Sequence, residues 1–252
     1  MLEDPSKIIP MSSARRVLIV TTMCLAVAAY NLWALGGFIN GALDPVYAFT
    51  SEYAALDQPT SLLFRVSDAV SAGFMVVGAT VGLRWFAWPR FTLTTQRMGL
   101  PRFGQLDRLF KQWGRRRWWR LVWGLILVFA FATLVDAAFP MTCSSSLTHT
   151  HCALPSDIMH ETASIVANTA SITATLLSAL LLRGTRTRAA IATLAVVHTI
   201  TALYTGIVSL FDATYMMGIT QRVSLVALAA WAILWTYETC VAGTATPPVS
   251  RG

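Results

Sequence analysis

The chain has 252 residues, of which 55% are hydrophobic and only 12% are charged. Soluble domains average roughly 25% charged residues, so this composition excludes an ordinary water-soluble globular protein and predicts a bilayer environment. The formal net charge of +7 does not indicate a nucleic-acid partner, because the basic residues gather in segments that flank apolar runs.

Six stretches are long and apolar enough to span a bilayer as helices, which takes about 20 residues each. They lack the alternation over about 10 residues that is typical of barrel strands. The sequence therefore predicts an all-α fold, a polytopic bundle of six transmembrane helices in one domain, with a tail at 1–14 and a disordered tail at 241–252. The predicted spans are residues 15–39, 61–87, 119–139, 157–182, 189–211 and 219–240.

The first span has two features of a secretory signal peptide, since Arg15 and Arg16 precede an apolar core that contains an Ala-x-Ala sequence. The apolar run continues through "NLWALGGFI". A cleaved signal has an apolar core of only about 7–15 residues. We therefore interpret this stretch as an uncleaved anchor.

The basic residues predict the orientation. If six helices alternate across the membrane, seventeen of the nineteen Lys and Arg residues fall on the side of the termini. The other two, Arg65 and Arg222, lie just inside the second and sixth spans. Because Lys and Arg are enriched in cytoplasmic loops, we expect both termini to be cytoplasmic.

The second span contains "GATVG", a GxxxG sequence from Gly78 to Gly82. Such a sequence permits close helix approach. Packing within the bundle explains it as well as dimerisation does, so the oligomeric state stays open.

The inner loop before the third span ends in "DRLFKQWGRRRWWRLVW". Arginine neutralises anionic lipid, and indole rings prefer the membrane interface. We interpret Arg108–Arg120 as an interfacial anchor with membrane lipid as its partner, in particular anionic lipid. Specific lipid recognition or a protein-binding surface is the alternative.

The outer loop between the third and fourth spans contains Cys143 and Cys152. The outside of a cell is oxidising, which favours a disulfide that closes this short loop. His149 and His151 lie in the same loop and are interpreted as solvated. Cys24 and Cys240 lie in or near spans and are interpreted as structural.

Polar residues recur at helical spacing inside the spans. Those of the fourth span share one helix face, and they are Asp157, His160, Glu161, Ser164, Asn168, Ser171, Thr175 and Ser178. The fifth span repeats the pattern from His198 to Asp212. Ionisable groups in lipid are costly and should face the bundle interior or water.

These residues predict a polar pocket near the outer ends of helices two to six. Asp68, Asp136, His160 and His198 come from four helices and are expected to converge, with Arg65 and Arg222 as neutralising partners. The full predicted set is Glu52, Arg65, Asp68, Asp136, Asp157, His160, Glu161, Ser164, His198, Asp212 and Arg222.

Three interpretations of this set stay open. His160, His198 and Asp136 are candidate zinc ligands that would activate a water for hydrolysis. Ser164 lies one turn after His160, so with Asp136 these residues are also candidates for nucleophilic catalysis. In the structural interpretation, Arg65 pairs with Asp68, Arg222 pairs with Asp136 or Asp212, and the histidines are hydrogen-bonded core residues.

Two segments together resemble the bacterial DUF998 membrane proteins. They are "FTSEYAALDQPTSLLFRVSDAVSAGFMVVGA" and "DAAFPMTCSSSLTHTHCALPSDIMHETAS". The resemblance implies a six-helix bacterial membrane protein and no activity, because the family has none assigned. The matching residues are Ser51, Glu52, Asp68, Asp136, Phe139, Pro140, His160 and Ser164.

A fainter similarity is to the CREST membrane hydrolases, which gather Ser, Asp and His at a zinc site. This chain lacks their paired His-x-x-x-His on one late helix. We therefore expect a membrane protein with an outward-facing polar pocket for a lipid headgroup or small solute. The alternatives are a metal-dependent hydrolase acting on lipid and a structural or assembly partner without a ligand.

Overall fold

The computed structural model describes residues 11–85, 115–148, 154–182, 187–209 and 216–241, and every regular element in these ranges is helical. All six long helices are long and apolar enough to cross a membrane, which confirms the prediction of an all-α polytopic membrane protein. They are α1 (Ser13–Tyr30), α2 (Ser61–Trp85), α3 (Arg115–Ala138), α4 (Pro155–Leu181), α5 (Arg188–Ser209) and α6 (Met217–Cys240).

The helix ends follow local sequence signals. Short helical turns at Asn31–Leu35 and Gly36–Ile39 extend α1, so the first apolar segment continues to Ile39. The third helix ends at Ala138, where Pro140 disfavours helical backbone in the residue before it. The fourth begins with Pro155, which suits the first helical position because its missing N–H needs no partner there.

The six helices form a ring in chain order. Each packs against the next, and α6 closes the ring against α1. The Ser67 hydroxyl near the start of α2 donates to the Ala29 carbonyl near the end of α1. These two neighbouring helices therefore run in opposite directions. One end of the ring is covered by residues 31–60 and 139–148, and we call it the cap end.

Tryptophans fill the opposite end of the ring, which we call the tryptophan end. The rings of Trp119 in α3 and Trp235 in α6 stack with centroids 4.5 Å apart. Trp231 stacks on Trp235, and its indole N–H donates to the Ser178 hydroxyl of α4 over 2.7 Å. Side chains from three helices therefore occupy the middle of the ring at this end.

The two glycines of the GxxxG sequence face different neighbours within the bundle. A Cβ on Gly78 would lie 2.7 Å from the Thr22 hydroxyl of α1. A Cβ on Gly82 would lie 2.6 Å from the Trp123 ring of α3. Packing within the bundle therefore accounts for both glycines, since each lets α2 approach an adjacent helix.

The cap is a small folded unit with its own core. Tyr53 is fully buried and packs with Leu43, Ala48 and Phe64. Gly36 makes room for the Tyr53 ring, which a Cβ there would approach to 2.4 Å. The chain from 31 to 60 is therefore held as compactly as the helices below it.

Arg222 ties this cap to α6. Its guanidinium donates to the Pro45 carbonyl over 2.6 Å, to the Ala48 carbonyl over 2.9 Å and to the Tyr53 hydroxyl over 3.2 Å. Gly218, one turn earlier, lets the Pro45 and Ala48 carbonyls come this close. One side chain therefore satisfies backbone acceptors that would otherwise be unpaired.

We predict that Gly82→Ala lowers stability by about 1–3 kcal/mol, because the new methyl group overpacks a buried, stacked indole. Gly73→Ala is the matched control on the same helix, since a Cβ there meets nothing within 4 Å. Thermal unfolding in detergent measures both variants. Equal melting temperatures for the two would contradict the packing assigned to Gly82.

We predict that Arg222→Lys lowers stability by about 1–3 kcal/mol, because a lysine keeps the charge but cannot reach all three acceptors. Arg120→Lys, at an exposed position of α3 near the tryptophan end, should leave the melting temperature unchanged. Limited proteolysis should also cut the cap of the Arg222 variant sooner. A melting temperature equal to that of the Arg120 variant would contradict the role assigned to Arg222 in holding the cap to α6.

Candidate functional site at the cap end

The residues predicted to form one pocket divide into two groups in the structure. One group braces the cap with hydrogen bonds to loop backbone. The other is an acidic cluster between the cap ends of four helices, which we define as Tyr30, Asp68, Asp136, His160 and Ser164. The carboxylates of the two groups differ in how many hydrogen bonds they accept.

Glu52 belongs to the bracing group. One carboxylate oxygen accepts the Phe49 N–H over 3.1 Å, and the other accepts the N–H and the hydroxyl of Ser146. Burial raises the pKa of the Glu52 carboxyl above its usual value, and the hydrogen bonds from Ser146 and Phe49 oppose this shift. Its acceptors are used within the protein, so the role of Glu52 is structural.

Asp157 has the same role at the start of α4. Its carboxylate accepts the Thr142 N–H and hydroxyl, both over 2.7 Å, and the Leu154 N–H over 2.9 Å. The last of these bonds satisfies a backbone donor at the helix N-terminus. Asp157 and Glu52 therefore brace the cap and do not contribute to the predicted pocket.

Asp57 is a bracing residue that the sequence did not reveal. Its two carboxylate oxygens accept the N–H and the hydroxyl of Ser144, over 2.8 Å and 2.9 Å. The sequence feature that could have indicated this role is the serine run from Ser144 to Ser146, which lies in a loop opposite acidic residues. Such a run offers paired backbone and hydroxyl donors, and both Asp57 and Glu52 use them.

The acidic cluster joins α1, α2, α3 and α4. His160 Nδ1 lies 3.1 Å from Asp136 Oδ1, and the Ser164 hydroxyl donates to the same oxygen over 3.2 Å. The His160 contact is within ion-pair distance but lacks the geometry of a hydrogen bond. Asp68 lies within electrostatic range of Asp136, and Tyr30 lies within range of both carboxylates.

The predicted neutralisation of these carboxylates by Arg65 and Arg222 is wrong. Arg65 Nε donates to the Ala137 carbonyl over 2.9 Å, at the C-terminal end of α3 where carbonyls lack helical partners. Arg222 is committed to the cap. Within the described ranges, the one basic side chain at ion-pair distance from Asp68 or Asp136 is His160.

The cluster remains accessible despite lying among four helices. The Asp136 side chain is 24% exposed and the Asp68 residue is half-buried, whereas the His160 side chain is only 7% exposed. The two acids are therefore less enclosed than the imidazole of His160.

The expected convergence of His198 with this cluster is also wrong. His198 lies mid-helix in α5, where its ring contacts the Ser171 hydroxyl at 2.9 Å and the Ser224 hydroxyl at 2.8 Å. Ser171 follows His160 by eleven residues, or about 16 Å along α4. The position of His198 near the middle of its span, which the sequence already indicates, separates it from the residues at the outer helix ends.

The candidate zinc set of His160, His198 and Asp136 is therefore not assembled. Among the residues that the structure describes, no group of three His, Cys, Asp or Glu residues is arranged to hold a metal ion. The nucleophile arrangement also differs from the predicted one, because Ser164 donates to Asp136 rather than to His160. Neither hydrolytic interpretation gains geometric support.

Other predicted members lie apart or beyond the described residues. Glu161 is exposed, because it follows His160 by a rotation of about 100° on the helix. Asp212, His149, His151 and Cys152 lie outside the described ranges. The free thiols among the described residues are those of Cys24 and Cys240. Because Cys152 lies outside the described ranges, the Cys143–Cys152 disulfide stays a prediction.

An apolar cavity lies inside the ring between the acidic cluster and the tryptophans. It measures about 50 Å³ and is lined by residues of α1, α2, α3, α4 and α6. Tyr30 lines its upper part and Trp231 its lower part. The cavity and the acidic cluster therefore share Tyr30.

The comparison with protein families gives one match. Residues 108–238, more than half of the chain, match the family described as "Protein of unknown function (DUF998)". The match includes the quoted segment from Asp136 to Ser164, while the earlier segment with Ser51, Glu52 and Asp68 precedes it. Neither the curated proteins nor the solved structures gave a match. On the strength of the family match, the chain is a six-helix member of the DUF998 family.

Proposed function

We propose that the acidic cluster binds an ammonium group at the outer face of a bacterial cytoplasmic membrane, carried by a lipid headgroup or by a small solute. The observation that supports this most directly is the pair of neighbouring carboxylates, Asp68 and Asp136. Both lie in apolar helices, and the arginines expected to neutralise them bind backbone carbonyls instead.

Charge arithmetic favours a cationic ligand. Two ionised carboxylates beside one imidazole leave an excess of negative charge, and such charge in a low-dielectric site calls for a partner cation or for protons. An ammonium donates up to three hydrogen bonds. The free acceptor positions of Asp68 and Asp136 match these donors.

The orientation that we propose places the cap end outside. With six alternating spans, the sequence assigns seventeen of the nineteen Lys and Arg residues to the side of the termini, which supports a cytoplasmic location for that side. The proposed ligand then reaches the cluster from the outer leaflet or the external solution. We also propose that the basic segment from 108 to 120 binds anionic lipid at the inner face.

The two other functions have less support. A metal-dependent hydrolase would need a ligand set that the described residues do not assemble. A purely structural role would have Asp68 and Asp136 stabilise the bundle, although their nearness to each other makes them repel when both are ionised. The behaviour of asparagine variants separates the binding role from the structural one.

We predict that Asp68→Asn and Asp136→Asn each weaken binding of methylammonium at least about tenfold, because each removes one charge from the site. Glu161→Gln, which removes an exposed carboxylate from α4, should bind as the unchanged protein does. Calorimetric titration of detergent-solubilised protein measures all four affinities.

The same variants test the structural alternative. Removing one of two repelling carboxylates should leave the melting temperature of the ligand-free protein unchanged or raise it. A fall in melting temperature without any change in methylammonium affinity would favour the structural role and refute the binding site. Absence of methylammonium binding to the unchanged protein would refute it as well.

We predict that reporter fusions at residue 105 and after residue 245 report a cytoplasmic location, and that a fusion at residue 147 reports an external one. The physical reason is the strong asymmetry of the basic residues. An external signal at residue 105 would contradict the proposed orientation and, with it, an outward-facing cluster.

We predict a disulfide between Cys143 and Cys152 in the proposed external loop. Non-reducing peptide mapping by mass spectrometry should recover the two cysteines in one linked species. The bond should contribute about 2–3 kcal/mol, because it closes only a short loop. Alkylation of both thiols in protein isolated from cells without a reductant would rule it out.

A further inference from the structure

The acidic cluster stands directly above the apolar cavity, and the helix geometry fixes this relation. Met75, Phe129 and Ser171 line the cavity. Each lies seven residues from Asp68, Asp136 or Ser164 on the same helix, always in the direction of the tryptophan end. Seven residues are close to two helical turns, so each pair shares a helix face and is separated by about 10 Å.

The cavity itself is suited to hydrocarbon. Its lining is mostly apolar, with side chains such as Met23, Ala26 and Leu228. The Ser171 hydroxyl in its wall is already hydrogen-bonded to the Asn168 carbonyl and in contact with His198. A space with so few available polar partners is a poor site for water and a good one for an alkyl group.

The floor of the cavity is fixed. Trp231 lines the cavity, and its indole N–H is held by the Ser178 hydroxyl. Trp231 also stacks on the buried Trp235. The cavity therefore admits an alkyl segment of limited length, and a longer chain would meet a packed wall.

We infer that the acidic cluster and the cavity form one site for an alkylammonium amphiphile, with its ammonium at Asp68 and Asp136 and its alkyl segment in the cavity. This inference rests on the proposed ammonium-binding function and names its ligand class. The alkyl group is attached next to the ammonium. A phosphate two carbons away from the ammonium, as in a phosphoethanolamine headgroup, would be repelled by the two carboxylates.

A series of primary alkylammonium ions tests the site. Titration of the full-length protein in detergent with methyl-, butyl- and hexylammonium should give affinities that rise about three- to fourfold for each buried methylene. Phosphoethanolamine should bind more weakly than methylammonium. Equal affinity for phosphoethanolamine and hexylammonium would overturn the inference.

Cavity variants separate burial in the protein from partition into detergent. Ala174→Val narrows the cavity and should reduce the ratio of hexylammonium to methylammonium affinity, while Met75→Ala widens it and should increase the affinity for octylammonium. Partition of the alkylammonium ions into detergent micelles is the same for every variant, so it cannot account for a difference between variants. Should Ala174→Val not fold, the Met75 variant alone decides the question.

The outcomes distinguish this inference from the function on which it rests. In one outcome, methylammonium binding depends on Asp136 while both cavity variants keep the chain-length dependence of the unchanged protein. That result would support the ammonium site and refute the binding of the alkyl segment in the cavity. Loss of all ammonium binding would end both. A chain-length dependence that changes with the cavity supports the combined site.

Discussion

A charged or polar group inside a membrane span must find its partner within the protein or in water that reaches it. Most of this structure follows from that constraint. Arg65 satisfies a carbonyl at the end of α3, and Arg222 satisfies two carbonyls of the cap. Asp157 accepts the Leu154 N–H at the start of α4 and the Thr142 N–H in the loop before it. These bonds fix the helix ends and hold the cap in place. Asp68 and Asp136 stand out because, among the described residues, no Lys or Arg side chain lies at ion-pair distance from either carboxyl.

The hydroxyl groups of α4 obey the same constraint in a different way. Thr175 and Ser178 each donate to a carbonyl of their own helix three residues earlier. Because these hydroxyls already donate to their own helix, they are poor hydrogen-bond donors for water. In the sequence they nevertheless continue the polar stripe below the cluster. The stripe therefore reflects several separate polar contacts, and the acidic cluster at its top is a distinct feature.

Some of these features were predictable from sequence because they are local. A run of apolar residues specifies a spanning helix without reference to the rest of the chain, and the helical period correctly buried Asp157, His160 and Ser171. The partners of Arg65 and Arg222 were not predictable, because any nearby backbone carbonyl is an acceptor and sequence does not reveal which one is near. The hydrogen-bond partners of His198 and the stacking of Trp119 on Trp235 depend on how separate helices align. The core of the cap around Tyr53 has the same origin.

The tryptophan packing has a consequence for traffic through the bundle. In the described part of the chain, indole rings from α3 and α6 occupy the centre of the ring below the cavity, and Trp235 is fully buried among them. These rings close the cavity on the side of the tryptophan end. In this conformation, passage of a solute through the middle of the bundle would require the indole stack to come apart.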